Sequence, residues 1–139
     1  MKLEQRLRRL DRLVRIQIID SIRDALRADD RVVFAYIHGS ILSEEAVRDI
    51  DLAVWLQPGV DPLGYILAEG LKLEEMVGVP VDIHVLNEAP ILFRYTVYTR
   101  GTPILVRDEY LHEVEVVKTI LAYSDLQLLR RKAGGIGDC

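Results

Sequence analysis

The chain has 139 residues, half of them hydrophobic and 29% charged, with a net charge of −4. That length builds one domain with a real core, and the balance excludes a disordered chain. The negative charge argues against a domain devoted to long nucleic acid, and the single cysteine, Cys139, excludes an internal disulfide and a cysteine zinc cluster.

Residues 2–28 form the first predicted helix: Leu3, Leu7, Leu10, Leu13, Val14, Ile18 and Ile22 recur at three- and four-residue steps. Arg6, Arg8, Arg9, Arg12 and Arg15 fall mostly off that stripe and read as a solvated basic face. Asp29-Asp30 breaks the pattern, and the continuous apolar run from Val32 to Ile37 predicts a central strand. Gly39-Ser40 ends that strand, residues 41–47 form a short helix, and residues 49–56 form the next strand. Pro58-Gly59 closes it, and an amphipathic helix follows over 63–77, with Ile66, Leu67, Leu71, Leu73 and Met76 as expected core positions. A third strand is predicted over 81–86, a helix over 91–99, a short edge strand over 102–106 and a last helix over 109–131. The whole reads as a single α+β domain over 1–132 with its core at 30–107, followed by a flexible glycine-rich tail at 133–139. No apolar run reaches membrane-spanning length and the N-terminus is charged, so the protein is expected to be cytoplasmic.

Three carboxylates stand out because each sits among β-branched and aliphatic residues, where an uncompensated charge is costly. Asp49 and Asp51 open the second strand, and alternation puts both on one face. Asp82 sits in the third strand. A divalent ion, magnesium by its preference for oxygen ligands, is the simplest compensation, and two such ions are the arrangement used in nucleotidyl transfer. Gly39 lets backbone approach a phosphate, and Ser40 can cap the following helix or donate its hydroxyl to a phosphate oxygen. An Asp-x-Asp or a Gly-Ser alone means little. Their order along the chain, from strand and Gly-Ser through a short helix and Asp-x-Asp to a lone Asp in a third strand, has few structural explanations. His84, on the side of Asp82, is read as a packing residue near the site, with contact to nucleotide or acceptor as the alternative, and His38, before Gly39, is read as structural. Trp55, on the face of Asp51, reads as core.

This order resembles the nucleotidyltransferase superfamily of DNA polymerase beta, and more closely the minimal nucleotidyltransferases that are the antitoxin half of HEPN/MNT toxin–antitoxin pairs. Gly39, Ser40, Asp49 and Asp51 match the family's Gly-Ser and Asp-x-Asp, Asp82 matches its third carboxylate, and the run from Leu86 to Gly101 is similar in kind. The spacer after Gly-Ser departs from the family: Ile41-Leu42-Ser43-Glu44-Glu45 is apolar then acidic where members often carry basic residues, and Arg48 is the candidate replacement for that charge. The resemblance implies a small mixed sheet of three to four strands packed by helices. It implies transfer of AMP from ATP to a tyrosine of a partner HEPN ribonuclease toxin, with Asp49, Asp51 and Asp82 as catalytic metal ligands holding Mg2+. Gly39, Ser40 and Arg48 would then bind the nucleotide. The apolar stripes of the first and last helices can pack internally or against another chain, so a homo- or hetero-oligomer is open. The alternatives are an antitoxin that neutralises by binding alone, and a nucleotidyltransferase acting on RNA or a small molecule.

Overall fold

The computed structural model describes residues 2–39 and 49–137. Its elements are α1 (Leu3–Arg27), β1 (Val32–His38), β2 (Ile50–Leu56), α2 (Pro62–Val77), β3 (Val81–Val85), α3 (Ile91–Arg100), β4 (Thr102–Val106) and α4 (Glu109–Gly137). The strands form one mixed sheet in the order β3-β2-β1-β4. β1 is central, as its unbroken apolar run predicts, and pairs antiparallel with β2 and with the edge strand β4. β3 pairs parallel with β2, which the crossover through α2 allows.

Alternation along the strands divides the core in two. On one face Ala35, Ile37, Ile50, Leu52, Val54 and Ile83 pack against Ile18, Ile22 and Leu26 of α1 and Tyr65 and Leu73 of α2. On the other, Phe34, Tyr36, Ala53 and Trp55 pack against Val97 and Tyr98 of α3 and Leu111 of α4. The expected α+β sheet with helices packed against it is therefore what forms. Trp55 belongs to this second core and stacks on Phe34 with ring centroids 5.5 Å apart.

Local signals set the helix ends. Asp61 caps α2, its carboxylate accepting the Gly64 N–H at 3.2 Å, and Pro62 stands at the first helical position. Gly78 ends the helix in the left-handed conformation at φ 78°. Asp108 caps α4 by accepting the Leu111 N–H at 2.9 Å.

Two side chains tie distant segments together. The Arg107 guanidinium donates to the carbonyls of Val32 at 2.9 Å, Leu26 at 2.8 Å and Asp29 at 3.3 Å, and to that of Arg27. It thereby serves the unpaired carbonyl end of α1, which carries partial negative charge. Asn87, in the 3-10 turn Leu86–Glu88, accepts the Leu56 N–H at 2.8 Å and donates to the Leu56 carbonyl at 3.0 Å. Its amide continues the ladder beyond the last paired residue of β3.

Four sequence expectations need correction. In α2 the residues facing the sheet are Tyr65, Gly70 and Leu73, with Ile66 half-buried; Leu67, Leu71 and Met76 are exposed, Leu71 at 66%. Gly70 is buried facing β3, where a Cβ would meet the Val81 carbonyl oxygen at an ordinary contact distance of 3.9 Å. In α1 Ile18, Ile22 and Leu26 are buried, while Leu3, Leu13 and Val14 are exposed. Leu86 belongs to the 3-10 turn and not to β3, and α4 runs past Arg131 to Gly137. Among the described residues, no helix is long and apolar enough to cross a membrane.

Candidate active site

Strand register builds the site. His38, the last residue of β1, lies opposite Asp51 of β2, and Asp51 lies opposite Asp82 of β3. The three form a row across one end of the sheet. Beyond His38 the chain turns at Gly39, whose φ of +80° lies in the region that favours glycine. The turn also needs the missing side chain: a Cβ on Gly39 would lie 2.2 Å from Oδ2 of Asp51. Backbone and carboxylate are thus in direct contact.

Asp51, Asp82 and His84 each offer a ligand atom within 4.8 Å of the other two. The His84 Nε2 lies 3.0 Å from Oδ2 of Asp82. Asp82 is well exposed, and Asp51 is half-buried. Asp49, exposed in the residue before β2, does not join that group, so two of the three predicted carboxylates come together there with one histidine. Ser40 and Arg48 lie outside the described residues, as do the expected helix at 41–47 and Cys139.

The donor set fits a divalent cation. Two carboxylates on adjacent strands leave an excess of negative charge in one place, and magnesium takes a few carboxylate oxygens together with water and substrate phosphate. The His84 nitrogen is a poorer donor for so hard an ion. Its contact with Asp82 suits it better to orienting that carboxylate.

Behind the acids stands an aromatic wall. Phe93, in the first turn of α3, meets the His84 ring at 4.9 Å and the His38 ring at 5.6 Å. Burial holds His38 below its ordinary pKa, against the opposing pull of Asp51 and Asp82. Burial thus favours the neutral form of His38, and its buried Nε2 has no hydrogen-bond partner among the described residues. Sequence reasoning treated both histidines as packing, and the structure adds His84 to the acid cluster. The signal was its two-residue offset from Asp82, which places both on one face.

A mixed four-stranded sheet with helices on both faces, carrying carboxylates on adjacent strands beside a glycine turn, defines a nucleotidyltransferase-type domain. The chain belongs to the polymerase beta nucleotidyltransferase family, whose model matches residues 20–110. None of the curated proteins matches the chain in sequence. Among solved structures it is similar to the toxin–antitoxin MntA–HepT, with 23% identity and a TM-score of 0.67, covering 88% of this chain and 98% of that one. It is also similar to the complex of tri-AMPylated Shewanella oneidensis HEPN toxin with MNT antitoxin, with 24% identity, a TM-score of 0.69, and coverage of 90% and 99%. A third likeness is to a toxin–antitoxin crystallised with AMP-PNP, with 25% identity, a TM-score of 0.70, and coverage of 87% and 98%. At 23% and 24% identity the first two likenesses carry the fold alone.

Proposed function

We propose that this protein is an antitoxin enzyme of the cytoplasm that transfers AMP from ATP to a tyrosine hydroxyl of a partner HEPN ribonuclease toxin. The observation that carries this reading is the meeting of Asp51 and Asp82 on adjacent strands, with Gly39 against the Asp51 carboxylate. The family supports nucleotidyl transfer. Similarity to a complex that holds a tri-AMPylated HEPN toxin supports the acceptor, and similarity to a complex with AMP-PNP supports the adenine nucleotide.

In this reading Asp51 and Asp82, joined by Asp49 from the residue before β2, would hold magnesium, and Gly39, Ser40 and Arg48 would receive the triphosphate. Bound magnesium supplies positive charge to the phosphates and makes the attacking hydroxyl more acidic. Asp82 accepts the acceptor's hydroxyl proton, and His84 keeps its carboxylate turned toward the site. The acceptor oxygen bonds to the α-phosphorus as the bond from that phosphorus to the bridging oxygen breaks, and pyrophosphate leaves. The exposure of Asp82 suits an acceptor as large as a protein, which reaches the site from solvent.

The test is incubation with labelled ATP, magnesium and a HEPN partner. Label on a partner tyrosine, absent with Asp51→Asn, is the expected result. A tight complex that gains no label overturns the catalytic reading and leaves inhibition by contact.

A further inference from the structure

Helices α3 and α4 do not close completely. Between them lies a crevice of about 480 Å3, lined by Ile91, Arg94, Glu115, Lys118, Thr119 and Leu121. It lies on the far side of α3 from the acids, since Phe93 faces the histidines while Ile91 and Arg94 face α4.

Its polar groups are incompletely satisfied. Thr119 is 2% exposed, and its hydroxyl has no hydrogen-bond partner among the described residues. The buried Nε of Arg94 lacks one too. Buried polar atoms in native proteins are nearly always bonded, and a cluster left unbonded beside a cavity calls for a partner. Glu115 is already engaged by Lys118 at 3.6 Å, whereas no ion pair of Arg94 is found among the described residues. The crevice therefore presents the Arg94 guanidinium, with its Nε unbonded, and the idle Thr119 hydroxyl under an apolar rim of Ile91 and Leu121.

We propose that this crevice binds a small oxyanion carried on an apolar body, a carboxylate or a phosphate monoester, at a site separate from nucleotidyl transfer. Its charge is met by Arg94, its second oxygen by the Thr119 hydroxyl, and its body by Ile91 and Leu121.

Amide NMR of the intact protein, titrated with benzoate and with phenyl phosphate, tests this and separates the two oxyanions. Expected are saturable shifts at residues 94, 118 and 119 with at least one of the two. Binding is expected to weaken at least tenfold in Thr119→Val and in Arg94→Met and to persist in Thr119→Ser, which keeps the hydroxyl and controls for folding. Shifts that never saturate overturn the proposal, as does equal binding by Thr119→Val. Displacement of the probe by ATP with magnesium also overturns it, because the crevice would then be part of the nucleotide site.

Discussion

Gly39 and Asp51 touch through the one hydrogen that glycine carries in place of a side chain, since a Cβ there would fall 2.2 Å from the carboxylate oxygen. The contact fixes the end of β1 against the first acid of β2, and the positive φ adds a second reason for glycine. Gly39→Ala must therefore displace the carboxylate and strain the backbone together. We expect a loss of roughly 1–3 kcal/mol in stability. Nucleotidyl transfer should fall further than that loss explains, as measured by urea unfolding beside a labelled-ATP assay.

Asp51→Asn and Asp82→Asn remove charge from a cluster whose ligand atoms lie within 4.8 Å of one another. Each should lower transfer by at least about 100-fold, the scale set by loss of a preorganised electrostatic group. Melting temperature without metal should hold or rise, because like charges are relieved. Added magnesium should raise the melting temperature of the wild type more than that of either variant. Equal stabilisation of all three by magnesium would remove the ion from this cluster.

Leu71 and Leu73 lie two residues apart on α2 and face opposite environments, Leu71 66% and Leu73 3% exposed. Leu73→Ala should cost about 2–4 kcal/mol, and Leu71→Ala less than about 0.5 kcal/mol. Denaturant midpoints at constant slope distinguish them.

His112 of α4 meets the Tyr36 hydroxyl at 2.5 Å and packs edge-on against Phe34. Burial lowers its pKa, with Glu113 opposing. The folded state thus favours neutral imidazole, whereas the unfolded chain takes up a proton near the ordinary value of about 6.5. The contribution is complete above that pH and is lost as pH falls through the depressed folded value. Thermal melts between pH 7.5 and 5 should show a declining midpoint, with a shallower decline in His112→Gln. His38, shifted the same way, keeps part of the slope in that variant.

The paired bonds from Asn87 to Leu56 predict that Asn87→Ala costs about 1–3 kcal/mol, since two backbone groups lose their partners. Hydrogen exchange should quicken first at the Leu56 amide.

The sheet was legible because its signals are local. The apolar run of β1 and the turn residues around β2 and β3 place the strands within a residue or two, and the order of Gly39, Asp51 and Asp82 announces the site. The facing of α2 was not legible. Leu63, Leu67 and Leu71 form an apolar stripe at four-residue spacing, yet all three are exposed. A periodicity argument assigns such leucines inward, while the actual inner face uses Tyr65 and the small Gly70. The role of His84 depended on the distance between two strands, which register determines and spacing along one strand does not. The histidine could be placed on the face of Asp82, but not within reach of Asp51.

The Arg107 clamp also orders events during synthesis. The carbonyls it gathers belong to the first thirty-odd residues, while the arginine lies more than seventy residues later. Until residue 107 has emerged from the ribosome the C-terminal end of α1 lacks these bonds, although Ile18, Ile22 and Leu26 can already pack on β1, β2 and α2. The clamp therefore closes an interface whose apolar part is largely encoded before it, and the carbonyls at the end of α1 stay open to water until it does.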